Sequence, residues 1–437
     1  MNIKHAYDEQ LYPISFRAEE AKLLGNHLAS RDSVELIGMK RIGISNFLRF
    51  FLNHQEIVKS YIDPSQRHLF ITVDLNDLIE MDILPFWRLM LKRIVDTVNA
   101  HPEFDSLKKQ VNDQFLKSIQ ISDLFFTVDT VRQTLKEVVT AGYTPTLFFI
   151  RFDRLQEVVT PELFSNLQGI VEATGQQLAY VFTSYRDLYE LSPKVFQKPA
   201  LAAFSHKIYL KPAKLEDLRI IMDTLLKKYN LTLSDPVKEE ILKNCGGHVQ
   251  YVQLSLIIVN EMLKKSKKLP TDFIKKIGED ERMSLQSEEL YGTLKPEEQT
   301  ALIKIYKEDP LSKDDEKHAS YLWNTGYIKS NGSHHVFSPF FASYLQNMEK
   351  YHSKAKVSVG LTKKEQMLYD VLKNHTDEIC EREDIIQAVW PECNEIGVSD
   401  WALDRLVSRL RGKMKQQEES SEIQTIKTRG FKLVSRN

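Results

Sequence analysis

The chain has 437 residues, 42% of them hydrophobic and 27% charged, with 59 basic and 60 acidic side chains for a net charge of −1. That balance excludes a disordered or low-complexity chain and makes no overall demand for a polyanionic partner, while the length calls for several domains. No apolar run approaches the roughly 20 residues that span a bilayer, "MNIKHAYDEQLYPISF" lacks the apolar centre of a signal peptide, and Cys245, Cys380 and Cys393 form neither a disulfide framework nor a zinc pattern, so a cytoplasmic location is expected.

In the first half, short apolar runs alternate with longer patterned stretches. "VELIG" (34–38), "HLFITVDL" (68–75), "TLFFIRFD" (146–153) and "LAYVFTSY" (178–185) are predicted strands, being short, β-branched or aromatic, and bounded by polar residues. "ILPFWRLMLKRIVDTVNA" (83–100) and "ISDLFFTVDTVRQTLKEVVTAG" (121–142) are predicted helices between them. The alternation implies a mostly parallel sheet covered on both faces, an α/β core assigned to residues 1–205.

Within it, "VELIGMKRIGISNFLRFF" (34–51) has the layout of a phosphate-binding loop: an apolar strand, Gly38, four residues, Gly43 and a helix, with Ser45 in the Ser/Thr place. The lysine place holds Ile44. Loss of that charged hydrogen bond costs roughly 1.5–3 kcal/mol of phosphate binding. Lys40 and Arg41 lie inside the loop as partial substitutes. A second departure lies in "FFIRFDRL", where a magnesium-holding strand should end in Asp-Glu. Asp153 is followed by Arg154, and a register two or three residues earlier puts Ile150 and Arg151 in the acidic places. Gly38, Lys40, Arg41, Gly43, Ser45, Asn46 and Asp153 are the candidate nucleotide-binding residues. The cofactor they point to is ATP or ADP with Mg²⁺, bound weakly or replaced by a purely structural use of the loop. No catalytic or metal-ligating residue is assigned.

From about residue 212 the strand signals stop. "KLEDLRIIMDTLLKKYN", "SDPVKEEILKNC" and "HVQYVQLSLIIVNEMLKKSKK" are predicted helices, the "CGGH" at 245–248 being a stop followed by a fresh start. Residues 206–285 form a small helical subdomain, and 286–347 have the order of a winged helix: "LKPEEQTALIKIYK", "HASYLWNTGYI" ended by Gly326, then "YIKSNGSHHVFS" as two strands around an Asn-Gly turn. His334 and His335, adjacent on a strand, face opposite ways and do not suit one metal ion. The polar stretch 348–358 is a predicted linker to a final domain, 359–437.

In that domain "LTKKEQMLYDVLKNHTDEICEREDIIQAVWPE" (361–392) opens with Thr362 and Glu365 in capping-box spacing. "VSDWALDRLVSRLRGKMK" (398–415) is a second capped helix, and its portion "DRLVSRLRGKMK" carries five basic residues and one acid. "IQTIKTRGFKLV" (423–434) alternates as a hairpin with Gly430 near its turn. A helix with Arg405 and Arg409 can enter a major groove and meet phosphates on either side.

These motifs resemble the winged-helix output domain of OmpR/PhoB-type response regulators. The resemblance rests on Leu361, Thr362, Glu365, Ile386, Trp390, Val398, Ser399, Asp400, Asp404, Val407, Ser408, Leu410, Arg411, Lys413, Ile423, Thr425, Ile426, Lys427, Gly430, Phe431 and Leu433 in register. It implies that Trp401, Ala402, Arg405 and Leu406 face the groove, with Arg405 reading a base edge. Arg409, Arg411 and Lys413 are expected at phosphates, and Lys427 and Arg429 on the wing. Trp401 stands where the family has a smaller or polar residue.

No acidic receiver pocket stands upstream. Residues 1–285 instead resemble the nucleotide-binding module of AAA+/STAND-type ATPases, on "FRAEEAKLL" (16–24), the loop, "ITVDL", the apolar strand before Asp153, "VFTSYR" and "GGH" in that order. Gln250 stands where some relatives carry a phosphate-sensing arginine. The expected whole is a cytoplasmic transcriptional regulator that binds double-stranded DNA, its degenerate P-loop NTPase-like module controlling or presenting the C-terminal winged helix. Relatives imply further partners: a second copy of the chain, and a signalling protein or small-molecule inducer. Two other readings stand beside it, an active ATP-hydrolysing signalling or defence NTPase that docks nucleic acid, and a protein-binding scaffold.

Overall fold

The computed structural model describes residues 7–193, 195, 206–330, 334–354, 361, 363–391, 400–416, 421–426 and 429–435. Contacts divide the chain into two compact units, Met1–Ile277 with Pro296–Pro339, and Gly278–Lys295 with Phe340–Asn437.

The first unit is built on a parallel sheet of β1 (Val34–Ile37), β2 (Arg67–Asp74), β3 (Tyr143–Ile150), β4 (Ala179–Ser184) and β5 (His206–Tyr209), in the order β2-β3-β4-β1-β5. Four of these strands lie on the four apolar runs of the sequence. β1 and β4 are buried at every position, the signature of strands covered on both faces. β5 was not anticipated: its "HKIY" is short, begins with two exposed residues and sits on the sheet edge. Val34 stands beside Val181 on one side and His206 on the other. The main core packs Phe86, Trp87, Ile94, Leu135, Phe149, Leu167 and Phe182 between sheet and helices.

The helix Ile83–Ala100 begins where Asp82 accepts the Ile83 N–H at 2.7 Å. The stretch 121–142 breaks once, at Ser122 with φ 52, and restarts as Leu124–Thr140 once the Asp123 carboxylate accepts the Phe126 N–H at 2.7 Å. Beyond the sheet come the three expected helices, Leu215–Lys228, Asp235–Cys245 and Val249–Ser266. They are followed, after Gly326 with φ 80 ends the helix Ser320–Thr325, by the antiparallel pair β6 (Ile328–Ser330) and β7 (His334–Val336). The Asn-Gly turn between these strands lies outside the described residues. His335 stands opposite Lys329, while the His334 ring meets Trp323 edge-on at 4.7 Å.

The second unit holds the helices Lys363–Asn374, Arg382–Val389 and Asp400–Gln416 with an antiparallel sheet of β8 (Cys380–Glu381), β9 (Ser421–Ile426) and β10 (Gly430–Ser435), ordered β8-β10-β9. This is a winged helix. A Cβ at Gly430 would stand 1.9 Å from the Cys380 carbonyl oxygen, so glycine is what lets the hairpin close on β8. Two helices join the unit from outside the expected domain: Glu281–Gly292 and Pro339–Lys354. The stretch expected as a linker from residue 348 is therefore helical through Lys354, and residues 355–358 lie outside those described. Among the described residues no helix is long and apolar enough to cross a membrane.

Candidate nucleic-acid interface and phosphate loop

The loop from Gly38 to Gly43 leaves the carboxyl end of β1 and enters the helix Ile44–Asn53. Gly43 is that helix's N-cap at φ 112, and a Cβ there would lie 2.6 Å from Val249 Cγ2. Only glycine allows both the backbone angle and the approach. Beside it, the buried His248 caps the helix Val249–Ser266: the Tyr251 N–H donates to Nδ1 at 3.3 Å, which leaves Nε2–H to donate to the Lys40 carbonyl at 3.0 Å. The imidazole is thus neutral, with its proton on Nε2. Burial pulls its pKa down to about 4, the Lys40 carbonyl working against this shift and the Arg41 charge with it.

The Lys40 ammonium lies 4.6 Å from the centre of the Tyr185 ring. Asp153 belongs to the same cluster: burial pushes its pKa up, while Lys40, Arg151 and Arg154 pull the other way. Lys40 thus acts on the Asp153 carboxyl, and Tyr185, which lies against Lys40, is a third member that the sequence did not mark. Asn46 is directed elsewhere, donating to Glu9 at 3.0 Å, and Arg49 donates to the same carboxylate oxygen at 2.9 Å.

β3 ends at Ile150, and Asp153 lies beyond it in the turn Phe152–Leu155. The earlier of the two registers holds, so Ile150 and Arg151 occupy the strand end where a magnesium-holding carboxylate pair belongs. Arg151 sits in left-handed backbone at φ 61, donates its N–H to Thr183 Oγ1 at 2.9 Å, and bonds both Asp74 oxygens at 2.6 and 2.9 Å. A fixed cation with its own counter-ion stands where Mg²⁺ would be held, and Ile44 stands where a lysine would meet phosphate oxygens. These residues do not fit a magnesium nucleotide.

In the second unit the helix Asp400–Gln416 buries Leu403, Leu406, Val407, Leu410 and Met414, an apolar stripe at helical spacing. Leu406, expected to face a groove, is part of this core and cannot. Its place on the apolar stripe was legible in the spacing; the carried-over pattern had overridden it. Arg411 and Lys413, expected at phosphates, have partners within the domain. Arg411 donates to the Ile423 carbonyl at 2.9 Å and to Thr425 Oγ1 at 2.8 Å, tying the helix to β9, and Lys413 meets the buried Glu365 at 2.6 Å. Glu365 thus faces the basic helix; Thr362, its expected capping partner, lies outside the described residues, as do Val398, Ser399, Lys427 and the side chains of Trp401 and Ala402. On the wing, Arg429 bonds Glu381 at 2.7 Å and stays largely exposed.

Arg405 and Arg409, one turn apart, remain on the helix surface, 47% and 40% exposed, and both meet one carboxylate. Glu288 lies 2.9 Å from Arg409 and 3.5 Å from Arg405, and is itself only 12% exposed. It projects from the helix Glu281–Gly292, on which Glu281, Leu285 and Glu288 share one face by their spacing of four and three. All three are used: Glu281 pairs with Lys364 at 3.4 Å, and Leu285 packs against the winged-helix core. Tyr344, from Pro339–Lys354, completes the surroundings. Burial first, then the Glu288 charge, raise its pKa, while Arg405 and Arg409 lower it. No local signal in the sequence marked Glu288, which lies 121 residues from its partner Arg409.

Residues 356–433 match the family model for the C-terminal domain of transcriptional regulatory proteins. A comparison with curated proteins finds no match. Among solved structures, the chain is similar to a Walker-type ATPase of Pyrococcus abyssi, at 16% identity and TM-score 0.45 over 76% of this chain and 95% of that one. It is also similar to the Aeropyrum pernix Orc1 protein in complex with DNA, at 10% identity and TM-score 0.40 over 96% and 89%. Domain III of the Thermotoga maritima replication initiation protein DnaA aligns at 16% identity and TM-score 0.33 over 58% and 86%. The C-terminal part of this chain is a DNA-binding transcriptional regulatory domain of the OmpR/PhoB type.

Proposed function

We propose that this chain regulates transcription by docking the helix Asp400–Gln416 in a DNA major groove, with Arg405 on a base edge and Arg409 and Arg429 on phosphates. The N-terminal module sets how available that helix is. The observation that carries the second half is the Glu288 contact: an acidic side chain occupies the two arginines best suited to DNA. The helix that bears it is joined to the first unit by the chain on both sides, at residues 277–278 and 295–296. A rearrangement of the first unit therefore has a covalent route to the clasp on the basic helix. Because the magnesium nucleotide does not fit the loop, the signal that drives such a rearrangement is assigned to a protein or small-molecule inducer, not to ATP turnover.

The test is selection of bound duplexes from a random-sequence pool, followed by titration of variants on the selected site. Arg405→Ala should weaken binding by about 1–3 kcal/mol and relax preference at one position, whereas Arg409→Ala should weaken all sequences alike and lower the salt slope by about 1. Failure of the full chain to enrich any duplex at low salt contradicts the proposal.

A further inference from the structure

At the end of β1 opposite the phosphate loop, the first unit gathers two histidines and a carboxylate that the proposed function does not use: His27, Asp32 and His206. The chain brings them together by ordinary local rules. The helix Ala18–Ser30 ends in a Schellman motif, with Arg31 left-handed at φ 63, the Asp32 N–H donating to the His27 carbonyl at 2.9 Å and the Arg31 N–H to that of Leu28 at 3.1 Å. That closure folds Asp32 back over the helix's last turn and sets its carboxylate 3.0 Å from His27 Nδ1. Two residues later β1 starts, and its first residue, Val34, pairs with His206, the first residue of β5. The register thus delivers a second imidazole to the same carboxylate, with Nε2 4.0 Å from the other Asp32 oxygen. The two rings lie 4.8 Å apart, centre to centre, and tilted by 40°.

We propose that these three side chains form a binding site for a borderline divalent transition metal of the Zn²⁺ class. One ligand atom from each lies within 4.8 Å of the others. Metal–nitrogen and metal–oxygen bonds of about 2.0–2.1 Å put adjacent tetrahedral donors about 3.3 Å apart, so closure on an ion needs movements of about an ångström or less. Two imidazoles and one carboxylate select this class over Mg²⁺ or Ca²⁺, which require oxygen ligands. All three side chains reach solvent, which leaves the fourth position to water. The neighbouring cation does not compete: the Arg31 guanidinium is turned away, donating to Gln177 at 2.8 Å and to Gln66 at 2.7 Å. When loaded, the ion ties the edge strand β5 to β1 and to the preceding helix.

The full-length protein, stripped with chelator, is titrated with Zn²⁺ by calorimetry and with Co²⁺ by visible absorption. The expected result is uptake of one tight equivalent, with tetrahedral Co²⁺ bands and no thiolate-to-metal charge transfer. His206→Ala, at a half-exposed edge position, and His27→Ala should each weaken that equivalent by more than about tenfold. His375→Ala, in the other unit, should leave it unchanged. Circular dichroism of each variant separates lost binding from lost fold, and Asp32→Asn provides a milder ligand change. Absence of a tight equivalent overturns the assignment. So does uptake that survives both histidine changes, or a thiolate band that places the metal on cysteine.

Discussion

Two clusters of cations, one in each unit, began from the same expectation of phosphate binding and differ in how their charges are held. In and beside the phosphate loop, Gly43 is pressed against Val249, the Lys40 backbone is held by a buried histidine while its ammonium rests over Tyr185, and Arg151, just beyond β3, is bonded to Asp74. On the winged helix, Arg405 and Arg409 stay part-exposed and share one glutamate from a separate helix. The arginines of that contact are part-exposed, so salt screens it and a phosphate backbone can compete for it. Arg151, in left-handed backbone and bonded to both oxygens of its own carboxylate, has been turned into structure, whereas two part-exposed arginines that share one carboxylate from a separate helix remain available.

The comparison breaks most visibly if the loop tolerates change. Gly43→Ala combines a backbone angle that L-residues avoid with a clash against Val249, and should destabilise the first unit by about 4 kcal/mol. Thermal unfolding followed by tryptophan emission checks this; a neutral result means that the loop is free to rearrange. Acid sharpens the same point. The folded pKa of His248, about 4, lies below the ordinary 6.5, so its contribution is fully present above pH 6.5 and is lost as pH falls toward 4. A shift of that size corresponds to about 3 kcal/mol. His248→Gln keeps a donor and an acceptor but does not titrate, and should lose less stability between pH 7 and pH 5 than the parent protein does, as read by hydrogen exchange at the loop amides. The smallest expected effect belongs to nucleotide: millimolar Mg·ATP should leave the unfolding temperature unchanged. A rise of several degrees would show that the loop binds nucleotide in its native state.

What was legible in the sequence follows from how local each signal is. The strands β1 to β4 and the helix Ile83–Ala100 each carry their own periodicity, and the C-terminal motif marked the winged-helix domain as a whole. β5 escaped because an edge strand of four residues with an exposed start has neither alternation nor a continuous apolar run. Leu406 was misplaced by carrying over a family pattern, although its spacing from Leu403 and Leu410 put it on the buried stripe. His248 was visible only as part of a helix stop; its hold on Lys40 bridges 208 residues. The Glu281–Gly292 and Pro339–Lys354 helices were assigned by chain order to other domains, since nothing in their composition says which core their apolar faces join.

The most direct test is a salt titration of duplex binding by the full-length protein and its Glu288→Gln variant, which keeps the shape of the clasp and removes its charge. The account predicts tighter binding by the variant, by about fivefold at low salt for a pair whose arginines are part-exposed, with the advantage shrinking as salt screens both Glu288 and the phosphates. Identical curves for the two proteins, in a chain that does bind DNA through Arg409, would contradict it: the glutamate would then hold the helix in place without competing for its arginines.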